Sequence, residues 1–150
     1  MAQDNSEVQA DAHQVRDRIQ QANTEMHTAW NAGDADAVAS LYAEDATSVD
    51  LTSGVTLKGR DALRDSAAER ICAFTGLSIV NPLHLIDGYQ SASRWIMSGT
   101  HSDDYMGLPA TGRSIKVDGA SFSEFDDRAL ITHVTVYVDV PAILRQLGLD

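Results

Sequence analysis

The hydrophobic period of this 150-residue chain changes once, near Gly76, and that change limits the folds it can adopt. Before Gly76, apolar residues recur at helical spacing, as in amphipathic helices; after it they alternate, as in half-buried strands. Most of the connections between the predicted strands are too short to hold a crossover helix. The pattern therefore predicts an α+β domain whose sheet is mostly antiparallel.

The first half of the chain predicts three helices and one strand pair. A single apolar stripe runs from Val8 to Trp30, and the polar residues 1–6 before it are expected to form a flexible tail. Asp34 is predicted to cap a second helix that reaches Tyr42. A strand pair is predicted within residues 46–59. The third helix is expected to end at Gly76, with an apolar stripe of Leu63, Ala67, Ile71 and Phe74.

The second half predicts four strands and a short final helix. The strands cover residues 77–86, 89–101, 114–125 and 130–140, and Pro141 opens the helix. A curved sheet of this kind wraps around the long first helix and forms a cone within one domain, residues 7–150. The open end of such a cone is a natural pocket for a small molecule, because the helices do not fill all of the concave face.

Charge and composition exclude several function classes. Eleven Lys and Arg against 22 Asp and Glu give a formal net charge of −11, which disfavours nucleic acids and anionic membranes as partners. The N-terminus has neither a cationic start nor an apolar run, so we expect a cytoplasmic protein. The five histidines lack the close spacing of zinc ligands, and no phosphate-binding glycine loop precedes a helix. We expect neither a metal nor another cofactor, and we expect Cys72 to be a buried thiol.

His101 is the first candidate catalytic residue. Alternation along its strand places His101 on one face with Trp95, Met97 and Gly99. Such a face suits a pocket wall, in which Trp95 and Met97 contact a flat substrate and the imidazole relays a proton at the mouth. The alternative is a histidine that only hydrogen-bonds the loop that follows it.

Asp50 is the second candidate, as a general base that shares a strand face with Ser48. The alternative is an aspartate that shapes a turn at the strand end. Tyr42 and Trp30, on helices predicted to cover the sheet, are expected to donate a hydrogen bond and a stacking surface to the substrate. For Trp30, packing in the core is the alternative.

The last strand has one valine face and one polar face, and we expect the valine face to point inward. In the opposite orientation His133, Tyr137 and Asp139 would form an acid/base cluster. We therefore keep Asp139 as a catalytic candidate and Tyr137 as a substrate contact. For Asp139, the alternative is a cap on the final helix.

Five phrases, in order, resemble the SnoaL-like polyketide cyclases of the nuclear transport factor 2-like superfamily: AWNAGDADAVASLYAEDA, LKGRDALR, GTH, GLPATGRS and YVDVPAILRQLGL. The resemblance covers about residues 8–149. It implies a cone-shaped sheet, a pocket histidine at His101 and a homodimer formed through the outer sheet face. It also implies a cofactor-independent enzyme of natural-product biosynthesis, including antibiotics, which closes a ring of an apolar, polyketide-type substrate by intramolecular aldol addition.

The chain also departs from its relatives. Cyclases of this family carry an acid/base aspartate in the strand after the bend, and the matching position here falls near Ile115 or Val117. The arginine and aspartates of limonene epoxide hydrolase fall near Met97, Gly99 and Val136. Without that cyclase aspartate, Asp50 or His101 must remove the acidic proton from the substrate. The alternatives are an isomerase, an epoxide-opening enzyme, a cofactor-independent hydroxylase, or a non-catalytic binding or dimerising module.

Overall fold

The computed structural model describes residues 5–149, and side chains from residue 11 onward. The elements are α1 Asn5–Asn31, α2 Ala35–Ser40, β1 Tyr42–Asp50, β2 Val55–Lys58, α3 Arg60–Ala73, β3 Phe74–Asp87, β4 Gln90–His101, β5 Ser114–Phe125, β6 Ile131–Val138 and α4 Val140–Leu147. One six-stranded sheet has the order β2-β1-β6-β5-β4-β3. Among the strands of the described residues, only β1 and β6 pair in parallel. The predicted α+β fold, a curved, mixed sheet around the N-terminal helix, is confirmed.

The long first helix is attached to the far strand of the sheet. Ile19 and Ala29 are buried on α1. At the end of the helix, the Asn31 side chain accepts a hydrogen bond from the Ile79 N–H at 2.7 Å and donates one to the Ile79 carbonyl at 3.1 Å. This pair replaces a sheet partner that β3 lacks at the edge, so α1 lies across the concave face at a fixed angle.

Several predicted boundaries are wrong by a few residues. Tyr42 begins β1 and does not extend the second helix, because it pairs with Ile131 of the distant β6. Phe74 begins β3, where it pairs with His101, and Gly76 with φ of 68° lies in a bulge of that strand. Cys72 is exposed and not buried. The first helix, α1, begins at Asn5, within the predicted tail, and the rest of that tail lies outside the described residues.

The register fixes which side chains share the concave face. Residues directly opposite each other on neighbouring strands point the same way, and β5 pairs Ser121 with Val136 and Ser123 with Val134. The expectation that the valine face of the last strand points inward is confirmed, since Val134 and Val136 line the cavity beneath the helices. In the described part of the chain, no helix is both long and apolar enough to cross a membrane.

One end of the concave face is closed by the final helix. A buried cluster joins the helix to the sheet; its members are Ala73, Phe74, Met97, Ile115, Val117, Ile143 and Leu147. Asp139 accepts a hydrogen bond from the Ala142 N–H at 3.0 Å and so caps α4. The space that remains open lies between the sheet, α1 and α3.

Candidate active site

A cavity of about 790 Å³ lies between the concave sheet face and the helices α1 and α3. This volume is in the range of pockets that hold small organic ligands. Six of the nine predicted site residues line it: Trp30, Tyr42, Ser48, Asp50, Trp95 and Met97. Most of the wall is apolar, so an aromatic or polycyclic ligand fits it better than a strongly hydrated one.

The indole of Trp95 forms part of the cavity floor because the neighbouring strand has a glycine. Trp95 lies directly opposite Gly119, and its ring covers that glycine so closely that a methyl group there would overlap it. The ring N–H also donates to the hydroxyl of Ser121, two residues after Gly119 on the same strand, at 2.9 Å. Gly119 and Ser121 therefore hold a flat, immobile surface on which an aromatic ring can stack.

One end of the cavity carries a cation among hydroxyl groups and a carboxylate. Arg70 of α3 donates to the Tyr105 hydroxyl at 3.3 Å, and its guanidinium lies 5.6 Å from the centroid of the Trp30 ring. Asp50 and Tyr42 also line the cavity, and both act electrostatically on Arg70. We call these five residues, Trp30, Tyr42, Asp50, Arg70 and Tyr105, the Arg70 pole.

Arg70 and Tyr42 of the Arg70 pole each shift the pKa of the other. Burial lowers the pKa of Arg70, but Tyr105, Tyr42 and Asp50 outweigh it and hold that pKa above its ordinary value. Burial raises the pKa of Tyr42 to about 12, with the charge of Arg70 acting in the opposite direction. At neutral pH the pole therefore presents a permanent cation and a protonated phenol, both of which donate hydrogen bonds.

Asp50 shapes a turn, as the sequence allowed, and it also lines the cavity. Its Oδ1 atom accepts hydrogen bonds from the backbone N–H groups of Thr52 at 2.9 Å and Ser53 at 3.2 Å, which shapes the turn into β2. The same side chain lines the cavity. The turn holds one carboxylate oxygen in place, and the second oxygen is left for a ligand.

His101 is not a cavity residue, which corrects its predicted place on the pocket wall. It is fully buried, with its ring 5.4 Å from that of Phe74. Its Nδ1 atom accepts the Thr111 N–H at 3.3 Å and lies 3.1 Å from the Thr111 hydroxyl. Strand alternation gave its face correctly, but Phe74 of β3 packs over that end of the face. The alternative holds: His101 fastens the loop that follows β4.

That loop contributes to the cavity in another way. Tyr105 and Met106 both line the wall, and Tyr105 is the hydrogen-bond partner of Arg70. His101 holds the loop that carries Tyr105 through its hydrogen bond with Thr111.

Asp139 and Tyr137 also lie outside the cavity. Asp139 is exposed and occupied as the cap of α4, the alternative that the sequence allowed. Tyr137 belongs to the outer face of β6, where its ring meets Phe122 edge-on with centroids 6.0 Å apart. Both corrections have the same cause: with the valine face inward, the polar face of the last strand points away from the cavity.

A second group of polar residues lines the cavity, and sequence reasoning missed it. Asn23 and His27 come from α1, Asn81 and His84 from β3, and Ser93 from β4. We call these five residues the β3 pole. Asn81 and Asn23 meet at 3.0 Å through their side chains, and His84 is directly opposite Ser93 in the sheet.

The two histidines of the β3 pole are held in their neutral form. Burial lowers the pKa of His84, and the nearby His27 and Arg16 lower it further. Burial also lowers the pKa of His27. The Nδ1 atom of His84 is buried and has no hydrogen-bond partner among the described residues. Within residues 5–149, no group of three or more His, Cys, Asp or Glu side chains is arranged to hold a metal ion.

Comparison with known proteins agrees with this fold. The family model described as SnoaL-like polyketide cyclase matches residues 20–147. The chain therefore belongs to the SnoaL-like polyketide cyclase family, as its sequence motifs indicated. No curated protein matches the sequence.

Solved structures resemble the chain over most of its length. TsrD from Streptomyces laurentii has a TM-score of 0.80 and 21% identity, with 90% of this chain and 98% of that chain covered. A candidate polyketide cyclase from Xanthomonas campestris pv. campestris has a TM-score of 0.76 and 25% identity, covering 88% and 98%. AclR, a candidate hydroxylase from Streptomyces galilaeus, has a TM-score of 0.76 and 19% identity, covering 89% and 97%. Cyclase and hydroxylase names thus occur on one fold, which leaves the reaction to the side chains.

Proposed function

We propose that the protein is a cofactor-independent cyclase that closes a ring in a polyketide-type substrate by intramolecular aldol addition. The observation that carries this proposal is the Arg70 pole, where a carboxylate and two donors line the same apolar cavity and the carboxylate acts electrostatically on Arg70. A carboxylate can accept a proton from carbon only if the resulting oxyanion is stabilised nearby. Arg70 and the protonated Tyr42 supply that stabilisation.

The reaction begins with a proton transfer. Asp50 accepts the acidic proton from a carbon that lies between two carbonyl groups, and the electron pair of that C–H bond delocalises onto an enolate oxygen. The oxygen faces Arg70 and Tyr42, which donate hydrogen bonds to it. Because both donors are already in place before the substrate binds, little reorganisation is needed as charge develops.

Ring closure then uses the same groups. The enolate carbon attacks a second carbonyl of the same molecule, which forms the new C–C bond and an alkoxide. The alkoxide takes back the proton from Asp50, so atoms and charge balance without a cofactor. The flat floor formed by Trp95 and the apolar walls hold the chain in a folded conformation, which supplies much of the rate enhancement by proximity.

The test is turnover of an aromatic compound that carries a β-keto ester side chain and an ortho aldehyde, followed by liquid chromatography and mass spectrometry. We expect Asp50→Asn and Arg70→Met to lower the rate by at least about a hundredfold, the usual effect of removing a catalytic base or an oxyanion donor. Asp139→Asn is the matched control, because asparagine caps a helix as well as aspartate does. Full activity in both cavity variants would reject the proposal, and binding without conversion by the wild type would indicate a binding module.

We also propose that a second copy of the chain covers the outer sheet face. Four large side chains are exposed there: Leu83, Leu85, Phe122 and Tyr137. An apolar surface of this kind suits a subunit interface, and the family resemblance supports a homodimer formed through this face.

A further inference from the structure

One residue of each pole lies at an end of one row of side chains across the sheet: Asp50 of the Arg70 pole and His84 of the β3 pole. Following the register from β3 to β1, the row consists of His84, Ser93, Ser121, Val136 and Asp50. The row crosses four strand spacings, or about 19 Å along the backbone of the curved sheet, and the side chains converge over its concave face, so their ends lie closer together than this path. A ligand that contacts both Asp50 and His84 must therefore be elongated, and the mostly apolar wall of the cavity favours an apolar body between its polar ends.

The β3 pole has hydrogen-bonding capacity that the protein does not use. His84 lines the cavity, and its Nδ1 atom is buried with no hydrogen-bond partner in the described part of the chain, so a turn of the imidazole ring brings it to a ligand. A buried polar atom left unpaired is costly and is rare in native structures unless a water or ligand completes it. Ser93, directly opposite on β4, brings a hydroxyl group to the same place.

The charge at the β3 pole restricts what can bind there. His27 and His84 are both neutral at pH 7, because their pKa values are lowered, and Asn23, Asn81 and Ser93 carry no charge. Neutral imidazole, amide and hydroxyl groups each donate and accept hydrogen bonds. They match a hydroxyl or carbonyl group, and the five residues themselves carry no charge, while the nearby Arg16 disfavours an ammonium group.

We propose that the β3 pole is a second ligand subsite, which binds a hydroxyl or carbonyl oxygen at the end of an elongated, flat substrate remote from its reacting carbon. The inference rests on the proposed function in one respect, namely that the Arg70 pole holds the reacting oxygen. His84 then acts as a positioning residue: its hydrogen bond fixes which carbon of the substrate reaches Asp50. A molecule with an oxygen at only one end lacks this second hydrogen bond, so its position along the cavity is not fixed.

The test compares two rigid probes, 2-hydroxyanthraquinone and 2,6-dihydroxyanthraquinone, which differ by one hydroxyl group at the far end. Both tryptophans of the chain line the cavity, so quenching of intrinsic fluorescence reports binding directly, without turnover. One additional hydrogen bond should make the wild type bind the dihydroxy probe roughly threefold to tenfold more tightly. His84→Phe, which keeps an aromatic ring but no polar atom, should remove this preference.

Two further variants separate a specific role of His84 from a change in the fold. His84→Gln retains hydrogen-bonding groups and should keep most of the preference. His13→Phe makes the same substitution as His84→Phe at an exposed position of α1 and should change nothing. The proposal is overturned if the wild type binds both probes equally or binds neither. It is also overturned if His84→Phe keeps the full preference.

Arg70→Met distinguishes this inference from the proposed function. If the Arg70 pole holds an oxyanion, this variant weakens binding of both probes by a similar factor and leaves the ratio between them unchanged. If Arg70→Met has no effect on either probe while His84→Phe still removes the preference, the oxyanion site is wrong and the second subsite stands.

Discussion

Gly119→Ala tests whether the Trp95 ring is held as a fixed floor of the cavity. The added methyl group would overlap the indole, whose N–H donates a hydrogen bond to the Ser121 hydroxyl. Overpacking of this kind costs about 1–3 kcal/mol, and losing the indole hydrogen bond if the ring swings away adds about 1 kcal/mol. We expect the free energy of unfolding to fall by about 2–4 kcal/mol, a large part of the usual stability of a domain.

The measurement is urea unfolding followed by circular dichroism, in a double-mutant cycle with Trp95→Leu. With the indole removed, the same methyl group meets no ring and should cost less than about 1 kcal/mol, so the two changes should couple strongly. If Gly119→Ala destabilises the protein equally with and without the indole, or does not destabilise it at all, the tight contact on which the flat floor depends is wrong.

Three further predictions concern the poles and the outer face. Tyr105→Phe removes the hydroxyl partner of Arg70 and should weaken 2-hydroxyanthraquinone binding about threefold to tenfold while changing the free energy of unfolding by less than about 1 kcal/mol; unchanged affinity would contradict this. The pKa values of His27 and His84 are lowered from 6.5 in the folded protein, so the unfolded chain takes up protons at a higher pH than the folded one. The free energy of unfolding should therefore have its full value above pH 6.5 and decrease as the pH falls towards 5. A free energy of unfolding in urea that does not change over this pH range would refute this. Phe122→Glu should convert a dimer to monomer in sedimentation, and a monomeric wild type would contradict the proposed interface.

The sequence predicted the fold well because the fold depends on local patterns. Alternation in residues 130–140 identified the valine face, and burial of that face then determined the concave side of the whole sheet. The boundaries were less accurate where distant pairing decides them. Tyr42 follows a helix in the sequence, but its partner Ile131 is recognisable only once β1 and β6 lie side by side.

The cavity residues show which information a strand pattern lacks. Alternation placed His101 correctly on the face of Trp95, but it says nothing about what packs over each position, and Phe74 covers this one. Arg70 had a signal that was missed, since it lies three residues after Ala67 on the apolar stripe of its helix. A charged residue on such a stripe indicates a buried functional group.

The β3 pole could not be derived from local patterns. His27 and His84 are 57 positions apart, on a helix and on an edge strand, and only the angle at which α1 crosses the sheet brings them together. Tyr105 lies in a loop without periodicity, and its place beside Arg70 depends on the hydrogen bonds that fasten that loop to His101.

The central claim is that the Arg70 pole stabilises an oxyanion, and the most direct test is the pKa of bound 2-hydroxyanthraquinone, measured by the absorbance of its phenolate. A nearby opposite charge should make this pKa about 1–3 units lower on the protein than in buffer, and Arg70→Met should abolish the difference. A pKa equal to or higher than that in buffer, with the probe bound and the protein folded, would contradict the account.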